Sequence, residues 1–329
     1  AASHLELLPW SSSDHACVLF SSSSDKVSFL SLDPKALRAS LHPHLADHLR
    51  ANNVAIGENL GEINARYHEI LSSLTGVHRT KQQAASLVPN YCITGDALLK
   101  MLAIHVRLSV GIPVVLMGEC GCGKTMLIRY LAAWLDVPLL ILDVNGGTSA
   151  TQIVQTLEQA EAMLNETPER QHCMVFFDEL NTCAHVSLMV EATTQRSIYG
   201  RRLHPRVRIL AAINPYRVRS QVIGGGAGPG LTFNLHEEAH ATEDPMAALV
   251  YRVHPVPATL HDFVFDFGAL TQEEEAQYTK AMLLQQLQAI GKQGVQVGKM
   301  DANCCLTVIL TSQQFARDEA RDASVVSLR

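Results

Sequence analysis

Between Thr94 and Asn214 the hydrophobic positions follow two alternating rhythms. "TGDALLKMLAIHVRLSVG" places apolar residues at helical spacing behind Thr94, a residue suited to cap a helix N-terminus. Four short, nearly unbroken apolar runs follow: "IPVVLMG", "PLLILDV", "HCMVFFDE" and "RVRILAAIN". Each has the length of a strand, and helical stretches lie between them. Strands that are apolar on both faces and alternate with helices predict a parallel α/β sheet flanked by helices. Upstream, "ACVLF" and "KVSFLSL" read as two short strands separated by the polar turn "SSSSD". "DPKALRASLHPHLADHLRANN" and "GEINARYHEILSSL" read as one helix each. Downstream, the Gly-rich "RVRSQVIGGGAGPG" breaks the pattern, and from "TQEEEAQYTKAMLLQQLQAIGK" onward the chain reads as largely helical.

Composition changes this picture little. With 329 residues, 47% hydrophobic and 18% charged, the chain is ordinary globular material. A net charge of −6 argues against DNA as a partner, because nucleic-acid binders carry a strongly basic face. No apolar run is long enough for a transmembrane segment, and the start shows no secretory signal, so a cytoplasmic location is expected. The eight cysteines form no C-x-x-C pair and no zinc spacing, which points to reduced structural thiols. "HPHLADH" (His42, His44, His48) lacks the ligand spacing of a metal helix. The chain begins without Met and ends mid-pattern at "SVVSLR", so it is expected to be a piece of something longer.

The candidate chemistry begins at "MGECGCGKTMLIRYLAAW". Gly118 to Thr125 match the phosphate-loop spacing G-x-x-x-x-G-K-[ST], with an apolar strand entering and a helical pattern leaving. Glycines let successive amides turn toward phosphate, and the helix N-terminus favours an anion. Lys124 is placed for the β- and γ-phosphates and the Thr125 hydroxyl for magnesium. The nucleotide-binding set is therefore Gly118, Glu119, Cys120, Gly121, Cys122, Gly123, Lys124, Thr125 and Met126. Cys120 and Cys122 occupy the unrestricted positions. They are either small residues that fit the loop or thiols whose pKa is depressed by the helix N-terminus and Lys124.

In "CMVFFDEL" an apolar strand delivers Asp178 and Glu179 at its C-terminal end, where ligands bind in open α/β sheets. The first carboxylate suits magnesium and the second suits an attacking water. In "RVRILAAINPYR", Asn214 ends another apolar strand. It is either a γ-phosphate or water contact or a turn-forming residue before Pro215.

Phosphate loop, "FFDE" and strand-terminal Asn together resemble the AAA+ ATPases, a P-loop NTPase fold with a parallel sheet and a helical lid. Within that class, "GIPVVLMGECGCGKTMLIRYL", "LDVNGGTS", "VFFDELNTC", "AAINPYR" and "LVYRVHPVPATLHDFVFDFGAL" resemble the mysterin family. Those giant cytosolic proteins join tandem AAA+ modules to a RING-type ubiquitin ligase. The resemblance runs from about Tyr91 to Arg329, and both Walker motifs are intact. It implies ATP and Mg2+ as cofactors, Lys124 and Thr125 for phosphate and metal, and Asp178 as a metal ligand. It further implies Glu179 as catalytic base, Asn214 as sensor, and Arg329 as a lid-borne sensor arginine.

An arginine finger for a neighbouring module falls among Arg196, Arg201 and Arg202, with Arg202 carried forward. An exposed basic turn is the alternative there. "VNGGT" (Val144 to Thr148) is expected to begin a helix facing a neighbour or substrate path. The implied divisions are a lead-in of short strands and helices over 1–88, a large P-loop α/β subdomain over 89–245, and an incomplete helical lid over 246–329. The implied partners are neighbouring AAA+ modules of the same longer chain and, through the parent protein, the ubiquitin machinery. No RING-type zinc spacing appears in this stretch. Two other readings stay open: a structural module that holds ATP without turnover, and a small-molecule phosphotransferase.

Overall fold

The computed structural model describes residues 17–20, 27–31, 34–52, 56–59, 63–88, 91–216, 249, 251–268, 272–292 and 302–320. At its centre is a five-stranded sheet of β4 (Val114–Met117), β5 (Leu139–Asp143), β6 (Cys173–Asp178), β9 (Val207–Ile213) and β10 (Val264–Asp266). Its order is β10-β4-β9-β6-β5. Every pairing is parallel. The four strands expected from apolar runs are all present. β10 was not expected, and it carries residues beyond 245 into the sheet as the edge partner of β4.

The helices cover both faces. α5 (Gly95–Ser109) begins as expected at Thr94, whose side chain accepts from Ala97 N. It packs with α6 (Lys124–Leu135) on one face, where Leu98, Leu102, Leu127, Trp134 and Phe176 share a core. α7 (Ala150–Glu166) and α8 (Val186–Gln195) cover the other face with Ile153, Leu157, Met189 and Phe177. Phe176 and Phe177 thus enter opposite cores, as alternation along a strand requires, and both are fully buried. This explains why β6 reads as an unbroken apolar run. Beyond α8, β7 (Ser197–Ile198) and β8 (Arg201–Arg202) form a short hairpin, and α9 (Gln272–Lys292) packs against α10 (Ala302–Ala320).

The lead-in holds a small sheet of β1 (Cys17–Phe20), β2 (Val27–Ser31) and β3 (Ile56–Asn59), with β1 and β2 where the sequence placed them. The stretch expected to be one helix is two, α1 (Pro34–Ser40) and α2 (Pro43–Ala51). Pro43 disfavours helical geometry in the residue before it, and His42 is extended at φ −60 ψ 136. α3 (Ile63–Thr75) and α4 (Lys81–Ser86) follow, and their Leu71 and Ala84 are part of the central core. Arg79 seals the far end of α6, donating to Trp134 O at 2.8 Å and Ala133 O at 3.0 Å. A cation there adds donors to the carbonyls of the last helical turn and complements the negative end of the helix dipole.

"VNGGT" does not begin α7. Gly147 N donates to Asn145 Oδ1 and Asn145 N to Thr148 Oγ1, which curls this stretch into a turn. The helix starts only after Ser149, which forms a capping box with Gln152.

Candidate nucleotide site

The C-terminal ends of β4, β9 and β6 lie side by side, and each delivers one expected motif to the same edge of the sheet. From β4 the chain enters the loop Gly118–Gly123. Gly121 (φ 82) and Gly123 (φ 96) adopt left-handed backbone that favours glycine. Gly118 is required for a different reason. A Cβ there would stand 3.1 Å from Phe267 Cβ and 3.2 Å from Cys122 Sγ. Gly118 N also donates to Ile213 O at 3.3 Å, tying the loop to the end of β9.

Lys124 opens α6 and is 6% exposed. Its Nζ donates to Gly118 O at 2.7 Å and Glu119 O at 2.8 Å, and lies 3.7 Å from Cys122 Sγ. These neighbours are carbonyls and a thiol, not a carboxylate. A buried ammonium among neutral groups, at a helix N-terminus, is set to receive an anion. The next residue, Thr125, donates its hydroxyl to Asp178 Oδ2 at 2.5 Å. Two hard oxygen donors side by side at a strand end suit magnesium. The lysine, the glycine cradle and this oxygen pair fit a nucleotide with its divalent cation.

Glu179 follows in left-handed backbone, φ 58 ψ 40, unusual for a side chain of its size. Thr182 holds this turn, its hydroxyl 2.9 Å from both Glu179 O and Val144 O. Cys120 Sγ lies 3.7 Å from Glu179 Oε1.

These groups line one cavity of about 380 Å³, which extends from Asp178 and Glu179 past Lys124 to Tyr91, Lys100 and Tyr278. Cys120 through Met126 are on its wall, whereas Gly118 and Glu119 stand outside that lining. Glu119 instead accepts a short hydrogen bond from the Tyr251 hydroxyl. Burial pushes the Cys122 thiol up, and the Lys124 charge opposes this without reversing it. Of the two alternatives for Cys122, this favours a small residue that fits the loop over a depressed thiol, because desolvation of the thiolate outweighs one neighbouring cation.

Asn214 reaches the same edge but is not in the cavity lining. It is 5% exposed, and Asn181 grips its backbone on both sides. Among the arginines, Arg196 is spent on structure, its Nη2 donating to Pro205 O at 2.7 Å and Val207 O at 2.9 Å. Arg201 pairs with Glu161 at 2.8 Å. Arg202 is exposed on the hairpin, outside the cavity wall. Arg329 lies outside the described residues.

The sequence reading did not include Lys100, Asp96, Tyr91, Tyr278 or Asn181. Lys100 is 1% exposed, forms a close ion pair with Asp96, and sits 4.2 Å from the centroid of the Phe267 ring. Two charges at i and i+4 inside the apolar run "DALLKMLAI" were the available signal.

A parallel sheet whose strand ends carry this loop, acid pair and asparagine defines an AAA-type nucleotide-binding domain. Residues 91–217 match the family model described as the RNF213 AAA domain, and the chain carries an AAA domain of that family. The zebrafish (Danio rerio) E3 ubiquitin-protein ligase rnf213-beta is 34% identical over 259 residues, which covers 73% of this chain and 5% of that protein. E3 ubiquitin-protein ligase RNF213 of Mus musculus is 35% identical over 252 residues, 73% of the chain and 5% of the relative. The Homo sapiens RNF213 is 34% identical over 263 residues, 75% and 5%. The chain spans about 5% of the length of these curated relatives. The resemblance to the mysterin family is thereby shown as similarity to RNF213. Among the described residues, no helix is long and apolar enough to cross a membrane.

Proposed function

We propose that this domain binds ATP with Mg2+ and hydrolyses it, as one module of a larger mysterin-like ubiquitin ligase that uses turnover to drive conformational change or assembly. The observation that carries this reading is the buried Lys124 ammonium, which among the described residues has no carboxylate within ion-pair distance, next to the Thr125–Asp178 oxygen pair. Lys124 would exchange its two carbonyl partners for phosphate oxygens. Thr125 and Asp178 would hold magnesium, which when bound draws charge from the terminal phosphate. Glu179, on its constrained turn, would accept the proton of the attacking water, and Asn214 would orient the terminal phosphate or that water. Arg202 would serve a neighbouring module as an arginine finger, and Arg329 would act from the lid. The parent protein would work in the cytoplasm, its ubiquitin chemistry residing outside this chain.

The second reading, a module that holds ATP without turnover, is favoured by the arginines themselves. Arg196 and Arg201 are engaged elsewhere and Arg202 is outside the cavity wall, so none of these three serves this module's own cavity; among the described residues the arginine on that wall is Arg129, on α6. Phosphate release measured on this chain and on Glu179→Gln, beside a nucleotide titration, separates the two. Turnover that vanishes in the variant while binding persists supports hydrolysis. Binding without turnover in either supports the holding role. Binding unaffected by Lys124→Ala would overturn the site in both readings.

A further inference from the structure

Asn181 is 2% exposed, two residues beyond Glu179, in the turn Leu180–Thr182. Its side-chain Nδ2 donates to Asn214 O at 2.8 Å, and its Oδ1 accepts from Asn214 N at 3.1 Å. β6 and β9 pair in register only as far as Phe177 opposite Ala211. Past that point the strands part, and the Asn181 amide supplies the two bonds that another rung would have made. Asn181 is itself held, because its own carbonyl accepts from His254 N at 2.7 Å.

The clamp fixes both backbone polar groups of Asn214 and thereby the point and direction from which its side chain leaves the backbone. That side chain ends in a buried Oδ1 that has no hydrogen-bond partner among the described residues. A desolvated acceptor without a donor is costly, so its orientation must be imposed by something else. The Asn181 bonds also join the Glu179 turn to the end of β9, so that the acid and the amide share one rigid frame.

We propose that Asn181 is a positioning residue for nucleotide hydrolysis: it holds Asn214 in register with Glu179, so that both meet the terminal phosphate as the transition state forms. The proposal rests on the ATPase reading above. It assigns Asn181 no contact with the nucleotide and no part in ground-state binding.

The test compares affinities of this chain for Mg2+–ADP and for Mg2+–ADP–aluminium fluoride, a mimic of the transferring phosphoryl group, with melting temperatures recorded in parallel. Asn181→Ala is expected to lose about tenfold or more in affinity for the fluoride complex, while ADP affinity stays within about twofold. Asn214→Ala should lose the same, and the double variant no more than either, since residues acting as a unit are not additive. If Asn181→Ala fails to fold, Asn181→Asp, which preserves shape but sets a carboxylate against Asn214 O, should show the same selective loss. Equal loss toward both ligands, or additive losses in the double variant, would mean a purely structural asparagine. A wild-type chain that binds neither ligand would instead overturn the nucleotide reading and this proposal with it. Wild-type binding of both, unchanged in Asn181→Ala and Asn181→Asp, overturns only the positioning role.

Discussion

Gly118→Ala is the smallest change that should damage the nucleotide loop. Gly118 φ lies outside the left-handed region, so alanine meets no backbone penalty there. The penalty is spatial. The new methyl would face Phe267 Cβ at 3.1 Å and Cys122 Sγ at 3.2 Å, with Lys124 Cδ at 3.7 Å. Phe267 is 3% exposed and lies against Lys100, so it has little room to retreat. Inserting a methyl into such packing costs roughly 1–3 kcal/mol. If the loop yields rather than β10, that cost falls on the binding-competent conformation, and nucleotide affinity drops about 5- to 150-fold. If the fold carries it instead, the melting temperature falls by about 2–4 °C for each kcal/mol. Fluorescent-nucleotide titration and a thermal melt on the same preparation report the two shares. Cys122→Ala removes one of the two close contacts, so Gly118→Ala/Cys122→Ala should recover part of the loss. Wild-type affinity together with a wild-type melting temperature in Gly118→Ala would refute the close-approach reasoning.

Asp178→Asn and Thr125→Ala should each weaken Mg2+-dependent ATP binding by at least about tenfold, with little change in metal-free binding; titrations with and without chelator check this. Arg196→Ala removes a charged donor from two backbone carbonyls and should cost about 2 kcal/mol, read by denaturant unfolding. Exposed Arg202→Ala should leave stability within about 0.5 kcal/mol, yet lower turnover about a thousandfold where a neighbouring module is present; an unfolded variant would contradict its assignment. Burial first, then the charges of Arg208 and His105, lower the His172 pKa to about 4. The folded state thus holds His172 neutral while the unfolded chain takes up a proton below about 6.5, so its contribution is complete above that pH and lost as pH falls toward 4. The stability difference between wild type and His172→Gln, followed from pH 7 to 4, should shrink in that window; a flat difference would dismiss the assignment.

β4, β6 and β9 were legible because each is buried on both faces, and β5, half-buried at the sheet edge, because its apolar run is equally unbroken; such a run leaves few alternatives at that length. Val264–Asp266 escaped for the opposite reason. Three residues within "HDFVFDFG" carry no periodicity, and they form a strand only because β4 offers them an edge. The Gly118–Thr125 loop and the Asp178–Glu179 pair could be read as candidates because the chemistry proposed for them depends on local spacing. The rest of the cavity could not. Tyr91 precedes α5, Lys100 lies within it and Tyr278 comes from the distant α9, and no local pattern records which side chains will meet. Cys122 shows the limit differently: its neighbours in sequence left a small loop residue and an activated thiol both open, and burial, a property of the assembled core, favours the former.

The pairing of β4 with β10 also sets an order of events during synthesis. β4 leads into the loop Gly118–Gly123, yet one of its flanking strands is encoded far downstream, after every other strand of the sheet. A chain leaving the ribosome at about 5–20 residues per second therefore carries β4 with an open edge until Val264–Asp266 emerge. In that interval the unfilled edge is a template for pairing with any passing strand, and Phe267 is not yet in place beside Gly118. Within this sheet the loop follows the first strand to be translated and meets its last packing partner only when the last strand has emerged.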